Sequence, residues 1–207
     1  MKNLTETLKL KSLSEALKIN SKSKVNIKYQ PKDKPELIKL IKKLIEEHGN
    51  NVNLNNIDTS QITDMSWVFN NSKFNGDISE WDVSNVKDMK TMFGSSKFNG
   101  DISRWDVSNV ENMSDMFRNS EFNQDISKWN ISKVKYMGGM FLSSKFTGEN
   151  GDISKWDMSN VEYIQCMFYK SKFTGDISKW DVSNVKNMND IFKNCPLEKN
   201  PPKWYHE

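Results

Sequence analysis

WDVSNV, residues 81–86, returns unchanged at 105–110 and 180–185, and nearly so as WNISKV at 129–134 and WDMSNV at 156–161. The spacing of its tryptophans organises the chain. Trp81, Trp105 and Trp129 are 24 residues apart, as are Trp156, Trp180 and Trp204, and the Trp129–Trp156 interval is three residues longer. Before the first of them, IDTSQITDMSWVF (57–69) aligns with WDVSNVKDMKTMF (81–93), with Ile57 in the Trp position. A fixed period of this length is the mark of a stacked repeat. Coils start near Val52, Gly76, Gly100, Gln124, Gly151 and Gly175, and a fragment ends at Trp204. The extra three residues fall at Glu149–Gly151, where a bulged loop leaves the core in register.

Within a coil the apolar positions are fixed. Ile78, Ile102, Ile126, Ile153 and Ile177 form one column, with Leu54 before them. The Trp column follows three residues later, and Val83, Val107, Ile131, Met158 and Val182 two after that. I-x-x-W-x-V alternates like a strand with one face inward. Val86, Met89, Met92 and Phe93 recur as V-x-x-M-x-x-M-F, a spacing that suits a short helix or 3-10 turn. Phe74, Phe98, Phe122, Phe146 and Phe173 then lead into a turn toward the next coil. A single coil cannot bury such a face, but stacked coils turn every column into a continuous ladder. The expectation is an α+β repeat: a right-handed leucine-rich-repeat-type solenoid with short parallel strands, short helices or 3-10 turns, and an N-terminal helical cap.

The unit resembles the repeat of the BspA-like leucine-rich-repeat family of bacterial surface proteins over residues 52–198. That resemblance implies the leucine-rich type of solenoid and non-enzymatic adhesion or protein binding, and it brings no catalytic residues.

Domain organisation follows. Residues 1–30 form a basic arm in which Leu4, Leu8, Leu13 and Leu17 fit an amphipathic helix, followed by a Ser/Lys-rich linker. Residues 31–51 carry the capping helix: Asp33 as N-cap, Pro35 in the first turn, Glu36 three after the cap, an apolar stripe at Leu37, Ile38, Ile41, Leu44 and Ile45, and Gly49 as the stop. The repeat occupies 52–198 and a C-terminal cap 199–207.

Composition narrows the function. The chain has 207 residues with a formal charge of +3 and a mean hydropathy of −0.75, too weakly basic to point to nucleic acid. Residues 1–51 hold 12 Lys against 6 acidic residues, so a basic head precedes a mildly acidic body. Cys166 and Cys195 fall at different repeat phases and read as free thiols of a reducing compartment. No apolar run reaches membrane-spanning length, and the N-terminus carries no secretory or lipoprotein signal, so a cytoplasmic or virion-associated location is expected, with the cell surface as the alternative that the resemblance implies. No nucleophile elbow, zincin, P-loop or C-x-x-C motif is present. An enzyme is not expected, nor is a cofactor.

Two surfaces invite a partner. Asp82, Asp106, Asp157 and Asp181 share one column, with Asn130 in the fourth copy, and Glu80, Arg104, Lys128, Lys155 and Lys179 share the column before Trp. The Asp column builds Asx-turns or, alternatively, contacts a ligand. Calcium is disfavoured, because a second Asp column at Asp77, Asp101, Asp125, Asp152 and Asp176 lies too far along an extended strand to share an ion. The other surface is an aromatic patch: Tyr136, Leu142, Tyr163 and Tyr169 stand where other coils have polar residues. The function read from these features is protein–protein interaction or adhesion. The alternatives are an attachment component of a phage or virus particle, held into a larger assembly by residues 1–30, and a carbohydrate-binding surface protein.

Overall fold

The computed structural model of the protein describes residues 26–206. The segment read as an attachment arm lies mostly outside them. Its end is seen: Lys28 N–H donates to Asn56 O at 2.8 Å, and Tyr29 bridges Ile57 in parallel. The arm therefore stops short of residue 30, and 28–29 belong to the first coil.

Helix α1 spans Lys34–His48. The Asp33 carboxylate accepts from Glu36 N–H at 2.9 Å, and Glu36 reaches back to accept from Lys32 N–H at 2.9 Å, which satisfies donors that a helix start leaves open. Gly49 ends it at φ 85°, donating to Ile45 O. Leu37, Ile41 and Leu44 are buried in the same core as the first coil. The Lys34 ammonium meets Asp64 at 2.7 Å and Ser66 Oγ at 2.8 Å. Burial is the largest single influence at Asp64 and works against ionisation, but the hydrogen bonds from Lys34 and Ser66 together outweigh it and hold that carboxyl below its ordinary range.

The repeat does not form the expected solenoid of parallel strands and short helices. Among the described residues there is no β-strand, and the only helical pieces are α1 and a 3-10 turn at Pro196–Lys199. The chain stacks as turn-rich coils. The I-x-x-W-x-V segment turns twice where a strand was expected: Trp81 N–H closes on Ile78 O at 3.2 Å, and Val86 N–H on Val83 O at 2.9 Å. Closing these turns uses the donors that a ladder would need. Pairing between coils falls instead on the following segment, one isolated parallel bridge per coil, running Asp64, Asp88, Asn112, Tyr136, Tyr163, Asn187.

The V-x-x-M-x-x-M-F segment is not a helix either. Met92, Gly94 and Ser96 donate three residues back, to Met89, Thr91 and Phe93, while Met89, Thr91, Phe93 and Ser95 donate to the next coil at Asn112, Ser114, Met116 and Arg118. This chain of turns needs a left-handed residue twice per coil. Thr91 and Ser95 stand at φ 55° and 54°, Asp115 and Asn119 at 55° and 53°, Cys166 and Lys170 at 55° and 53°. A spacing of three serves a run of four-residue turns as well as it serves a helix, so the apolar pattern does not separate them.

The core is built of ladders. Phe69, Phe93, Phe117, Phe141, Phe168 and Phe192 stack ring on ring at 5.6 to 6.2 Å, within 9° of parallel. A second Phe in each of the first five coils, such as Phe98 against Phe93 at 4.4 Å, packs beside the first. Each Trp is 4% exposed in coils two to six, and its indole N–H donates to the carbonyl of the Ile column in the preceding coil. Trp105 reaches Ile78 O at 3.1 Å, and Trp180 reaches Ile153 O at 3.0 Å. Trp156 keeps the bond across the insertion, to Ile126 O at 3.3 Å. Trp204 closes the last coil on Ile177 O at 2.8 Å and stacks on Trp180.

Candidate functional site

Two corners of each coil are Asx-turns, with a third in four of the six coils, and the first two account for both Asp columns seen in the sequence. In the first column Asp82, Asp106, Asp157 and Asp181 accept from the N–H of Ser84, Ser108, Ser159 and Ser183 at 3.0 to 3.1 Å, and Asn130 does the same for Ser132. In the second, Asp77, Asp101, Asp125, Asp152 and Asp176 accept from the N–H of the serine two residues on at 2.8 to 3.0 Å. The Ser108 hydroxyl, then its N–H, holds Asp106 below the usual carboxylate range, and Ser183 does so for Asp181. Among the described residues no group of three or more acidic, His or Cys side chains is placed to hold a metal.

The third corner was not read from the sequence. Asp64, Asp88, Asn112 and Asn187 cap it, as in Lys90 N–H to Asp88 at 2.7 Å and Asn189 N–H to Asn187 at 3.0 Å. In coils four and five Tyr136 and Tyr163 occupy this corner. They cannot cap it. They stack face to face instead, centroids 5.3 Å apart and planes 14° apart, with Tyr136 42% exposed. Beside them Lys186 pairs with Glu162 at 2.5 Å, and that bond raises the ammonium's affinity for its proton.

Leu142 and Tyr169 are half-buried neighbours in adjacent coils. Ser143 N–H donates to Tyr169 O at 2.7 Å, and the Lys170 ammonium lies 5.2 Å from the Tyr169 ring. Between Tyr136 and Leu142 runs Gly138–Gly139, with no side chains of its own. Gln165 and Asp115 lean across it: a Cβ on Gly138 would meet Gln165 Nε2 at 2.6 Å, and one on Gly139 would meet Asp115 Oδ1 at 2.4 Å. Burial raises the Asp115 carboxyl above its ordinary range against the opposing charges of Arg118 and Lys90. Burial, then Asp190 and Asp115, pushes the Cys166 thiol up as well, which disfavours the thiolate. Cys195 is a free thiol in the buried Ser column, and burial raises it too.

Tyr136 and Tyr163 are thus in contact, Leu142, Tyr163 and Tyr169 are half-buried, and Gly138, Gly139, Asp115 and Gln165 lie between the two pairs. The sequence reading also missed Trp67, the seventh tryptophan. Trp67 is outside the Trp column, 51% exposed and left-handed at φ 66°. The signal was its mismatch with the Thr91 column. The column before Trp is distinct from the aromatic surface: Glu80, Arg104, Lys128, Lys155 and Lys179 are all exposed.

No helix among the described residues is long and apolar enough to cross a membrane. A family model described as Mycoplasma protein of unknown function, DUF285, matches residues 39–150 and again residues 94–204. The overlap of the two matches is what a repeat gives when a model fits it in more than one register. The match is to a repeat family without an assigned function and does not extend to the BspA-like leucine-rich class. No curated protein and no solved structure matches the chain.

Proposed function

The chain belongs to the DUF285 family, and from that premise we propose that it is a non-enzymatic module that recognises another protein through its tyrosine surface. The observation that carries this reading is the replacement at the third corner. Asp or Asn there completes an Asx-turn in four coils. Tyr136 and Tyr163 give up that hydrogen bond and leave two rings stacked at the surface. Ordered, partly exposed aromatic area beside an ion pair is the composition of a protein interface anchor. Leu142 and Tyr169, both half-buried, extend the surface.

Tyr136→Asn with Tyr163→Asn tests it. Asn is the residue that Asn112 and Asn187 already place at this corner, so the variant folds with an unchanged melting temperature. Cross-linking in the native source followed by recovery through a C-terminal tag should lose the main partner. Recovery of the same partner at the same yield would sink the proposal.

A further inference from the structure

Arg104, Lys128, Lys155, Lys179 and Lys203 form one column, each just before a tryptophan and all exposed. The Trp204 bond to Ile177 O places Lys203 in the same register as the others. The row has one cation per coil at about 4.8 Å spacing, roughly 19 Å in all. Among the described residues none of the five makes an ion pair.

The next column but six shows what the stack does when charge serves only the fold. Lys87, Glu111, Lys135, Glu162 and Lys186 alternate in sign, and Lys186–Glu162 closes as an ion pair. Opposite charges on adjacent coils attract, and like charges directly opposite one another repel. Glu80 heads the column beside Arg104, and the five like charges in file after it work against the stack. None of them closes on a carboxylate; Asp101, Asp125, Asp152 and Asp176 lie three residues before Arg104, Lys128, Lys155 and Lys179. Those carboxylates, and Asp106, Asp157 and Asp181 on the other side, are turned into their own Asx-turns. The cations have no such partner among the described residues.

We propose that this row binds an extended acidic polypeptide segment. The two flanking carboxylate rows set the width of the partner. A flat anionic membrane or a duplex would meet the carboxylates as well as the cations. A single chain lying along the stack axis meets the cations alone. Single-stranded nucleic acid needs aromatic platforms for its bases, and the tryptophans beside this row are 4% exposed at Trp105, Trp129, Trp156 and Trp180. An Asp/Glu-rich strand needs none. The row lies eight residues before the tyrosine column, from Lys128 to Tyr136, so it deepens the protein-recognition reading with a second, separate surface.

The test uses the full chain and a fluorescein-labelled poly-glutamate peptide of about ten residues, enough to span the row when extended. Fluorescence anisotropy at roughly 50 and 200 mM salt should show binding that weakens as salt screens it. The R104Q/K128Q/K155Q/K179Q/K203Q variant should lose at least about tenfold in affinity, and the charge-matched control K87Q/K135Q/K145Q/K172Q/K186Q should lose less than about twofold. Y136N/Y163N should keep peptide binding, which separates this surface from the tyrosine one. Absence of peptide binding at low salt would overturn the proposal. So would an equal loss in the control, or tighter binding of a fifteen-residue oligo-dT or of anionic lipid vesicles than of the peptide.

Discussion

At the scale of single residues, tryptophan and aspartate are chosen for what their polar atoms do. The Trp105 ring fills the core as any large apolar side chain would. Its N–H, however, gives the Ile78 carbonyl a second donor from the next coil, beside the Trp81 N–H that closes the turn. Trp105→Phe keeps most of the ring but removes the hydrogen bond that ties the two coils, while Trp81 N–H still satisfies the carbonyl. The expected cost is about 1–3 kcal/mol, from the lost buried hydrogen bond plus the smaller ring, read as a shift in the urea midpoint at constant slope. A change below about 0.5 kcal/mol would mean that the indole serves volume alone. Aspartate in the WDVSNV column is needed for its acceptor oxygen and not for its charge, since Asn130 makes the same turn with Ser132. Asp106→Asn is expected to be neutral, whereas Asp106→Ala costs up to about 1 kcal/mol. Equal melting temperatures for the two variants would remove the turn from the argument.

Elements here are turns held between coils, and they explain which part of the fold was legible. Burial columns depend only on periodicity, so the six coils, the Trp and Phe ladders, the insertion and α1 with its Asp33 cap could all be read from apolar spacing and capping residues. The class of local structure could not. I-x-x-W-x-V fits a strand, and M-x-x-M-F fits a helix, until the backbone donors are traced: Trp81 and Val86 close turns, and Thr91 and Ser95 sit left-handed. Left-handed backbone normally announces itself as glycine, but Gly139 is the only glycine in its column; Thr91, Asp115, Cys166 and Asp190 fill the same place. The tyrosine pair was visible as a departure from polar columns, while its corner role, and Trp67, needed the third Asx-turn to be seen. Thr91 is the most strained member. It is β-branched at φ 55°, 5% exposed, and its Oγ1 has no hydrogen-bond partner. Thr91→Gly should therefore stabilise by about 1 kcal/mol despite the added freedom of the unfolded chain, and Gly139→Thr should cost about 1–2 kcal/mol. Thermal melts of the two single variants decide it; a destabilised Thr91→Gly would show that its packing outweighs the strain. Deleting Gly148–Asn150 should leave the melt within about 0.5 kcal/mol of the parent, because it turns the loop into F-T-G-D, the sequence of 173–176, and Trp156 already keeps register across the insertion. A large loss would make the loop part of the stack.

Across the whole molecule, stability is set by contacts between neighbouring coils, so small terms repeated in every coil add along the stack. The carboxylates of Asp77, Asp101, Asp106, Asp152, Asp157, Asp176 and Asp181 are all lowered. Serine hydrogen bonds hold most of them down, and at Asp77 they do so against burial. A carboxylate whose folded value is depressed contributes stability that is complete above its unfolded value, about 3.9, and is lost as pH falls through the folded one. Asp115 runs the other way, since burial raises it, but it is one group against these seven and Asp64. Melting temperature should hold level from about pH 7 to pH 5 and drop steeply below about pH 4. The drop should steepen with the number of coils retained and should soften in Asp106→Asn with Asp181→Asn, which keep their turns without a group to protonate. Asn variants that lose stability in acid as steeply as the parent would show that acid acts elsewhere, with the Lys34–Asp64 bridge between α1 and the first coil as the next carboxylate to replace.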